Sequence, residues 1–172
     1  ANALGRILPF EPHRNNVTVY RGECYATSNP VLGATGVAES LWTRFGDRLT
    51  DETGRPVVFI NGAVAGSQVS DWLDDRSGYR LRLVTTIREA RELGYEPDLV
   101  IWIQGETDAA VGIAPEEFAT SLARLSAVIE KESGMAGTAP WMFLRSTFCR
   151  TMPENGPQLE AALERMTARP ND

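Results

Sequence analysis

The apolar run Leu99-Val-Ile-Trp-Ile103 breaks directly into Gln104-Gly105-Glu106-Thr107-Asp108. An amide at the end of a buried strand can donate to a developing oxyanion, and a glycine beside it lets a backbone come close. Gln104, Glu106 and Asp108 alternate, so an extended geometry would set all three on one side, where the carboxylates could orient a base or bind a sugar hydroxyl. An ordinary solvated loop between a strand and a helix has the same composition. A second segment of interest is Asn61-Gly-Ala-Val-Ala-Gly66-Ser67-Gln-Val-Ser-Asp-Trp72. Gly66 can aim its backbone N–H into a cleft with no side chain in the way. A tight turn followed by Ser67 or Ser70 as a helix cap accounts for it equally well. A third segment, Arg145-Ser-Thr-Phe-Cys149-Arg150, leaves a further apolar run.

A serine hydrolase also needs a base to take the serine proton. His13 is the only histidine, beside Pro12 in a polar stretch, and it reads as a surface residue. No serine has glycine at both −2 and +2, so the nucleophile-elbow pattern is missing. A single histidine and the two cysteines Cys24 and Cys149 argue against a metal site and a disulfide scaffold alike. No glycine pattern for phosphate or dinucleotide binding occurs. On these residues alone the catalytic set is incomplete.

The elements that must position these segments follow from periodicity. Residues 1 to 35 read as irregular around a short extended stretch, Val17 to Tyr20. From Gly36, the residues Val37, Ala38, Leu41, Trp42, Phe45 and Leu49 fall on one face of a helix. Gly54 and Pro56 stop it, and Val57 to Ile60 reads as a buried strand. Leu83, Val84, Ile87 and Ala90 mark a second helix ending near Gly94, and Asp98 to Gln104 a second strand. Pro115, with Glu116 and Glu117 near the N-terminal dipole, opens a third helix striped by Phe118, Leu122, Leu125 and Ile129 and closed by Gly134. Trp141 to Phe148 is a third strand, and Pro157 to Arg169 a fourth helix. This alternation predicts an α/β fold with a mostly parallel sheet and helices on both faces. In such sheets ligands bind beyond the carboxyl ends of the strands, where the three segments above lie. Three strands are few for four helices, so the domain is expected to lack sequence at both ends.

The 172 residues carry 17 basic and 23 acidic side chains, a net charge of −6, with 42% hydrophobic residues. That length suits one domain with a core of its own. The acidic balance argues against non-specific nucleic-acid binding. The longest apolar run falls far short of the ~20 residues that span a bilayer. Lys131, the single lysine, stands among many arginines and alanines, which suggests GC-rich, bacterial coding. The compartment stays open.

Trp102-Ile-Gln-Gly-Glu-Thr-Asp108 resembles the Trp-x-Gln-Gly-Glu-x-Asp block of the sialate O-acetylesterase-like carbohydrate esterases, a branch of the SGNH hydrolases. Asn61 to Trp72 is similar to the family stretch that usually reads Gly-Gly-Ser or Gly-Gly-Thr before a helix ending in Trp, with Ala65 in place of the first glycine. Pro30-Val-Leu-Gly to Trp42 is similar to the segment before it. The chain opens Ala1-Asn2-Ala3-Leu4-Gly5, which looks like the continuation of the family's Gly-Gln-Ser-Asn motif with Ala1 in the serine's place. The family's Asp-x-x-His block does not occur in these residues.

The resemblance implies a three-layer α/β/α, flavodoxin-like sheet in a single domain over residues 1–172. It implies an oxyanion hole from the Gly66 N–H and the Gln104 side chain, completed by the N–H of residue 1. Asn2, Ser67, Glu106 and Asp108 would contact substrate. No metal or organic cofactor is needed, and the partner is an acetylated carbohydrate or other small acyl ester. The expected activity is carbohydrate O-acetyl ester hydrolysis, with the nucleophile replaced or missing here. A glycan-binding module that kept the cleft but lost Ser and His is the alternative. A structural domain without a small-molecule site is opposed by the Gln-Gly-Glu-x-Asp loop.

Overall fold

A computed structural model describes residues 14–35, 40–135, 137, 139–144 and positions 157, 158, 161 and 164. Its elements, in chain order, are β1 (Val17–Tyr20), β2 (Glu23–Ala26), α1 (Trp42–Thr53), β3 (Val58–Ile60), α2 (Val69–Leu73), α3 (Tyr79–Glu92), β4 (Val100–Ile103), α4 (Glu106–Val111), α5 (Pro115–Ser133) and β5 (Trp141–Leu144). They fall into two units, Ala1–Ala65 with Arg82–Glu96, and Gly66–Leu81 with Pro97–Asp172. The chain is a mixed α/β protein.

In the first unit the sheet order is β2-β1-β3. β1 runs parallel to β3 and antiparallel to β2, with Tyr20 opposite Glu23. The extended stretch expected at Val17 to Tyr20 is β1, and the residues after it, expected to be irregular, add β2 to make a hairpin. Arg21 and Gly22 turn it, with φ of 52° and 72°. Positive φ at both central residues matches the right-handed twist of the flanking strands. A Cβ at Gly22 meets nothing within 4 Å. Gly22→Ala therefore costs only backbone conformation, about 1 kcal/mol. It should lower the thermal midpoint by roughly 3 °C, and a drop above 10 °C would show that Gly22 does more than turn the chain.

Helix α1 forms where the periodicity places it, but it faces the other way. Leu41, Phe45 and Leu49 are exposed, while Thr43, Gly46 and Asp47 are buried. The inward face is small and polar because of what lies against it. A Cβ on Gly46 would stand 2.7 Å from the Phe59 ring, and Asn16 donates to Asp47 Oδ1 at 3.0 Å. The same Asn16 side chain accepts from Thr50 Oγ1 at 2.7 Å and from the Val57 N–H at 2.7 Å. Gly54 ends the helix in the left-handed region, its N–H reaching Thr50 O. Val37 and Ala38 lie outside the described residues. In α3, Val84, Ile87 and Ala90 are buried as the spacing predicts.

In the second unit β4 and β5 pair in parallel, Trp102 opposite Phe143. Helix α5 follows its sequence closely. Pro115 opens it, Glu116 and Glu117 sit in its first turn, and Gly134 caps it. Its stripe of Phe118, Leu122, Leu125 and Ile129 is at most 1% exposed. Arg80 holds the start of α3 by donating to Leu73 O at 3.0 Å and pairing with Asp75 and Glu132. Among the described residues there are thus five strands in two sheets, one pair antiparallel, where three strands of one mostly parallel sheet and an extended stretch at Val17 to Tyr20 were expected. The difference is the hairpin, whose second strand, Glu-Cys-Tyr-Ala, is exposed throughout and carries no apolar period. Trp141 to Leu144 forms the expected last strand; residues 145–148 lie outside the described residues. Positions 157, 158, 161 and 164 are helical, and the rest of the expected fourth helix lies outside them. No described helix is long and apolar enough to cross a membrane.

Candidate functional site

Strand β4 ends at Ile103, and after a turn at Gln104 and Gly105 the chain enters helix α4. Gly105 makes that turn with φ 137° and ψ −24°, a conformation closed to residues with a Cβ. The extended alternation expected of Gln104, Glu106 and Asp108 therefore does not persist. The turn at Gly105 starts helix α4 instead, with Gln104 just before the cap and Asp108 in the first turn. Gln104 Nε2 donates to Asp108 Oδ2 at 2.6 Å, whereas Glu106 is exposed in the first turn.

The second hydrogen of the same amide goes to Ser67 O at 2.7 Å. The other Asp108 oxygen, Oδ1, accepts the Val69 N–H at 2.8 Å. Gln104 and Asp108 thus join the exit of β4 to the segment that opens α2. Asp108 is only 1% exposed. Burial pushes its carboxyl above the usual aspartate range, against the opposing pull of the bonds from Gln104 and Val69.

The segment 66–72 is held from within as well. The expected cap from Ser67 or Ser70 is supplied instead by Gln68, whose N–H donates to Asp71 Oδ2 at 2.7 Å in a capping box. Ser67 is buried, and its hydroxyl accepts the Trp72 Nε1 proton at 3.0 Å. Trp72 meets Trp102 edge-on at 5.1 Å, and Trp102 packs on Trp141 at 5.9 Å. Gly66 stands free at the start of this segment, exposed, with open space where a Cβ would be.

Of the residues singled out in the sequence, Ser67, Gln104 and Asp108 are joined by hydrogen bonds, Gly66 directly precedes Ser67, and Glu106 is exposed in the first turn of α4. Ala1, Asn2, His13 and Cys149 lie outside the described residues. Cys24 is exposed, its sulfur 3.9 Å from Tyr95 Oη. No group of three or more metal-ligating side chains occurs among the described residues. Trp72 and the Val69 N–H were not expected at the site. Trp72 had a signal, as the last residue of the Asn61 segment; a backbone amide has none.

A family model described as carbohydrate esterase, sialic acid-specific acetylesterase, matches residues 24–145. A protein of Arabidopsis thaliana, its X-ray structure solved at 1.6 Å, is similar in fold with a TM-score of 0.79 and 16% identity. The similarity covers 95% of this chain and 69% of that one, and at this identity it speaks for the fold alone. No curated protein matches the sequence.

Proposed function

Because the chain belongs to the sialic acid-specific acetylesterase family of carbohydrate esterases, we propose that its fold serves the hydrolysis of acetyl esters on sugars. The family match carries this reading, since it spans both Gly66 and the Gln104–Asp108 block. The SGNH arrangement supplies the chemistry. A serine at the position of Ala1 attacks the acetyl carbonyl, and the tetrahedral oxyanion receives the Gly66 N–H, the Gln104 side-chain amide and the N–H of residue 1. A histidine from the family's Asp-x-x-His block takes the serine proton and gives it to the sugar oxygen as its bond to the acetyl carbon breaks, and water then clears the acyl-enzyme. Asn2 and Glu106 supply contacts to the sugar. Gln104 is tied to the carbonyl of Ser67, the residue after Gly66, and the buried Asp108 holds the amide there.

The reading carries with it the three-layer, flavodoxin-like arrangement in one domain over residues 1–172. The parallel pairs within each unit support it, as do the helices α2 and α4 that follow β3 and β4. No metal or organic cofactor takes part.

The test is acetate release from a sugar acetate and from p-nitrophenyl acetate, by the chain with the segments that flank it in the natural protein. It is run with Ala and with Ser at residue 1. Turnover with Ser and none with Ala is the expected result. Inactivity of both forms in a folded protein that still binds acetylated sugar would replace the esterase by a glycan-binding module.

A further inference from the structure

We infer that Thr35 is a positioning residue for the Gly66 N–H. This rests on the acetylesterase reading, in which that N–H donates to the oxyanion. Two bonds clip Thr35 to the stretch that leads into Gly66. Its N–H donates to Ala63 O at 3.0 Å, and its Oγ1 accepts the Ala65 N–H at 2.7 Å. Asn61 Oδ1 accepts the Ala63 N–H at 3.1 Å and steadies the same stretch from within. The two backbones also meet at Gly33, where a Cβ would overlap Asn61 O, and Arg82 donates to the Gly33 carbonyl. Residues 33 to 35 thus lie along residues 61 to 65, all inside the first unit.

A peptide group is planar, so the direction of the Gly66 N–H is that of the peptide joining Ala65 to Gly66. Only the two soft dihedrals of Ala65 separate this peptide from the amide that Thr35 holds. Gly66 adds no side chain to fix itself. It is exposed, at φ 74°, with open space where a Cβ would stand. The Thr35 hydroxyl is therefore the side-chain anchor immediately upstream of the oxyanion donor. Its bond to Ala65 is exposed, so water can replace the hydroxyl at little cost in stability. Water satisfies an amide without fixing its direction. The bond thus contributes geometry rather than stability, and geometry is what a preorganised oxyanion donor needs.

Thr35→Val removes the acceptor while keeping the branched shape and the backbone bond to Ala63. In the form carrying Ala1→Ser, it should lower kcat for p-nitrophenyl acetate roughly tenfold, with KM within about twofold and the urea midpoint almost unmoved. Thr35→Ser returns an acceptor and should bring kcat back to within about threefold of the parent. A kcat for Thr35→Val within about twofold of the parent, or a loss that Thr35→Ser does not recover, would overturn the inference.

A second measurement needs no activity. In the 15N-labelled chain, Thr35→Val should speed solvent exchange of the Ala65 amide and shift the Gly66 amide resonance, and Thr35→Ser should restore both. A Gly66 resonance that ignores Thr35→Val would overturn the inference by itself. If the Ala1→Ser form is inactive while the Gly66 resonance follows Thr35, the acetylesterase reading fails and the hold of Thr35 on the Gly66 amide stands.

Discussion

Asn16→Ala is expected to lower stability by about 3–4 kcal/mol, because it strips partners from several buried polar groups at once. Asn16 is 2% exposed. Its side chain gives one bond to Asp47 and takes two, from Thr50 and from the Val57 N–H. Its own carbonyl accepts the Thr27 N–H at 2.9 Å. One residue thus ties α1 to the strand before it, the strand after it and the return of the hairpin. Alanine keeps only the backbone bond. In urea, the midpoint should fall at an unchanged slope, as for loss of stability without loss of cooperativity.

The isosteric Asn16→Asp sharpens the test. The new carboxylate still accepts from Thr50 and Val57, but it faces the Asp47 oxygen that Nδ2 used to serve. Two carboxylates in contact hold a proton more tightly than one alone, so the introduced acid has a raised folded-state pKa. The deficit is then full at neutral pH and shrinks as pH falls through that raised value. The alanine deficit has no such source of recovery. A penalty under about 1 kcal/mol for alanine would show that this network is dispensable.

The same residue explains why part of the fold could not be read from the sequence. The period of α1 was legible, and Trp42, Phe45 and Leu49 are helical as the spacing predicts, with Leu41 as the N-cap. Which face turns inward was not, because that choice is made by Asn16 and by the Phe59 ring over Gly46, both far away in sequence. Helix α5 shows the opposite case. Pro115, two acids, a four-residue apolar stripe and Gly134 all agree, and local propensity, capping and burial point one way. The β1–β2 hairpin escaped because Arg21-Gly22 is not one of the usual two-residue turn pairs. Its outer strand, exposed on both sides, has no alternation to reveal it.

At the site, the sequence marked Gln104 by its place after five apolar residues. The contact to Asp108 was hidden by reading the loop as extended. A signal existed, since Gly105 followed by Glu106 and Asp108 matches a helix start with acids in its first turn. Read that way, Gln104 stands just before the cap and Asp108 in the first turn, where the two meet. Ser67 and Val69 enter this network through a carbonyl and an amide, which every residue has, so composition could not single them out.

Asp108 carries the other large effect. Asp108→Ala leaves the Val69 N–H and one Gln104 hydrogen without acceptors in a buried place, at a cost of about 3 kcal/mol. Asp108→Asn keeps an oxygen for Val69 but turns an NH2 toward the Gln104 NH2, donor against donor. Flipping Gln104 would only move the mismatch to Ser67 O. Set against that penalty, asparagine removes a charge that burial disfavours. The pH profile separates the two contributions. The folded-state pKa of Asp108 is raised, so the folded chain holds a proton that the unfolded chain releases. Its ionisation therefore lowers stability as pH climbs from the unfolded aspartate value of about 3.9 through the raised folded value, and the loss is constant above. Asparagine at 108 cannot titrate. The advantage of the native chain over Asp108→Asn should be greatest at the acid end of that window and smaller at neutral pH. Denaturation measured across this range checks the sign. A difference that does not vary with pH would mean that the Asp108 carboxyl is no harder to ionise in the fold than out of it. Gln104 would then be held by an ordinary exposed acid rather than by a buried one.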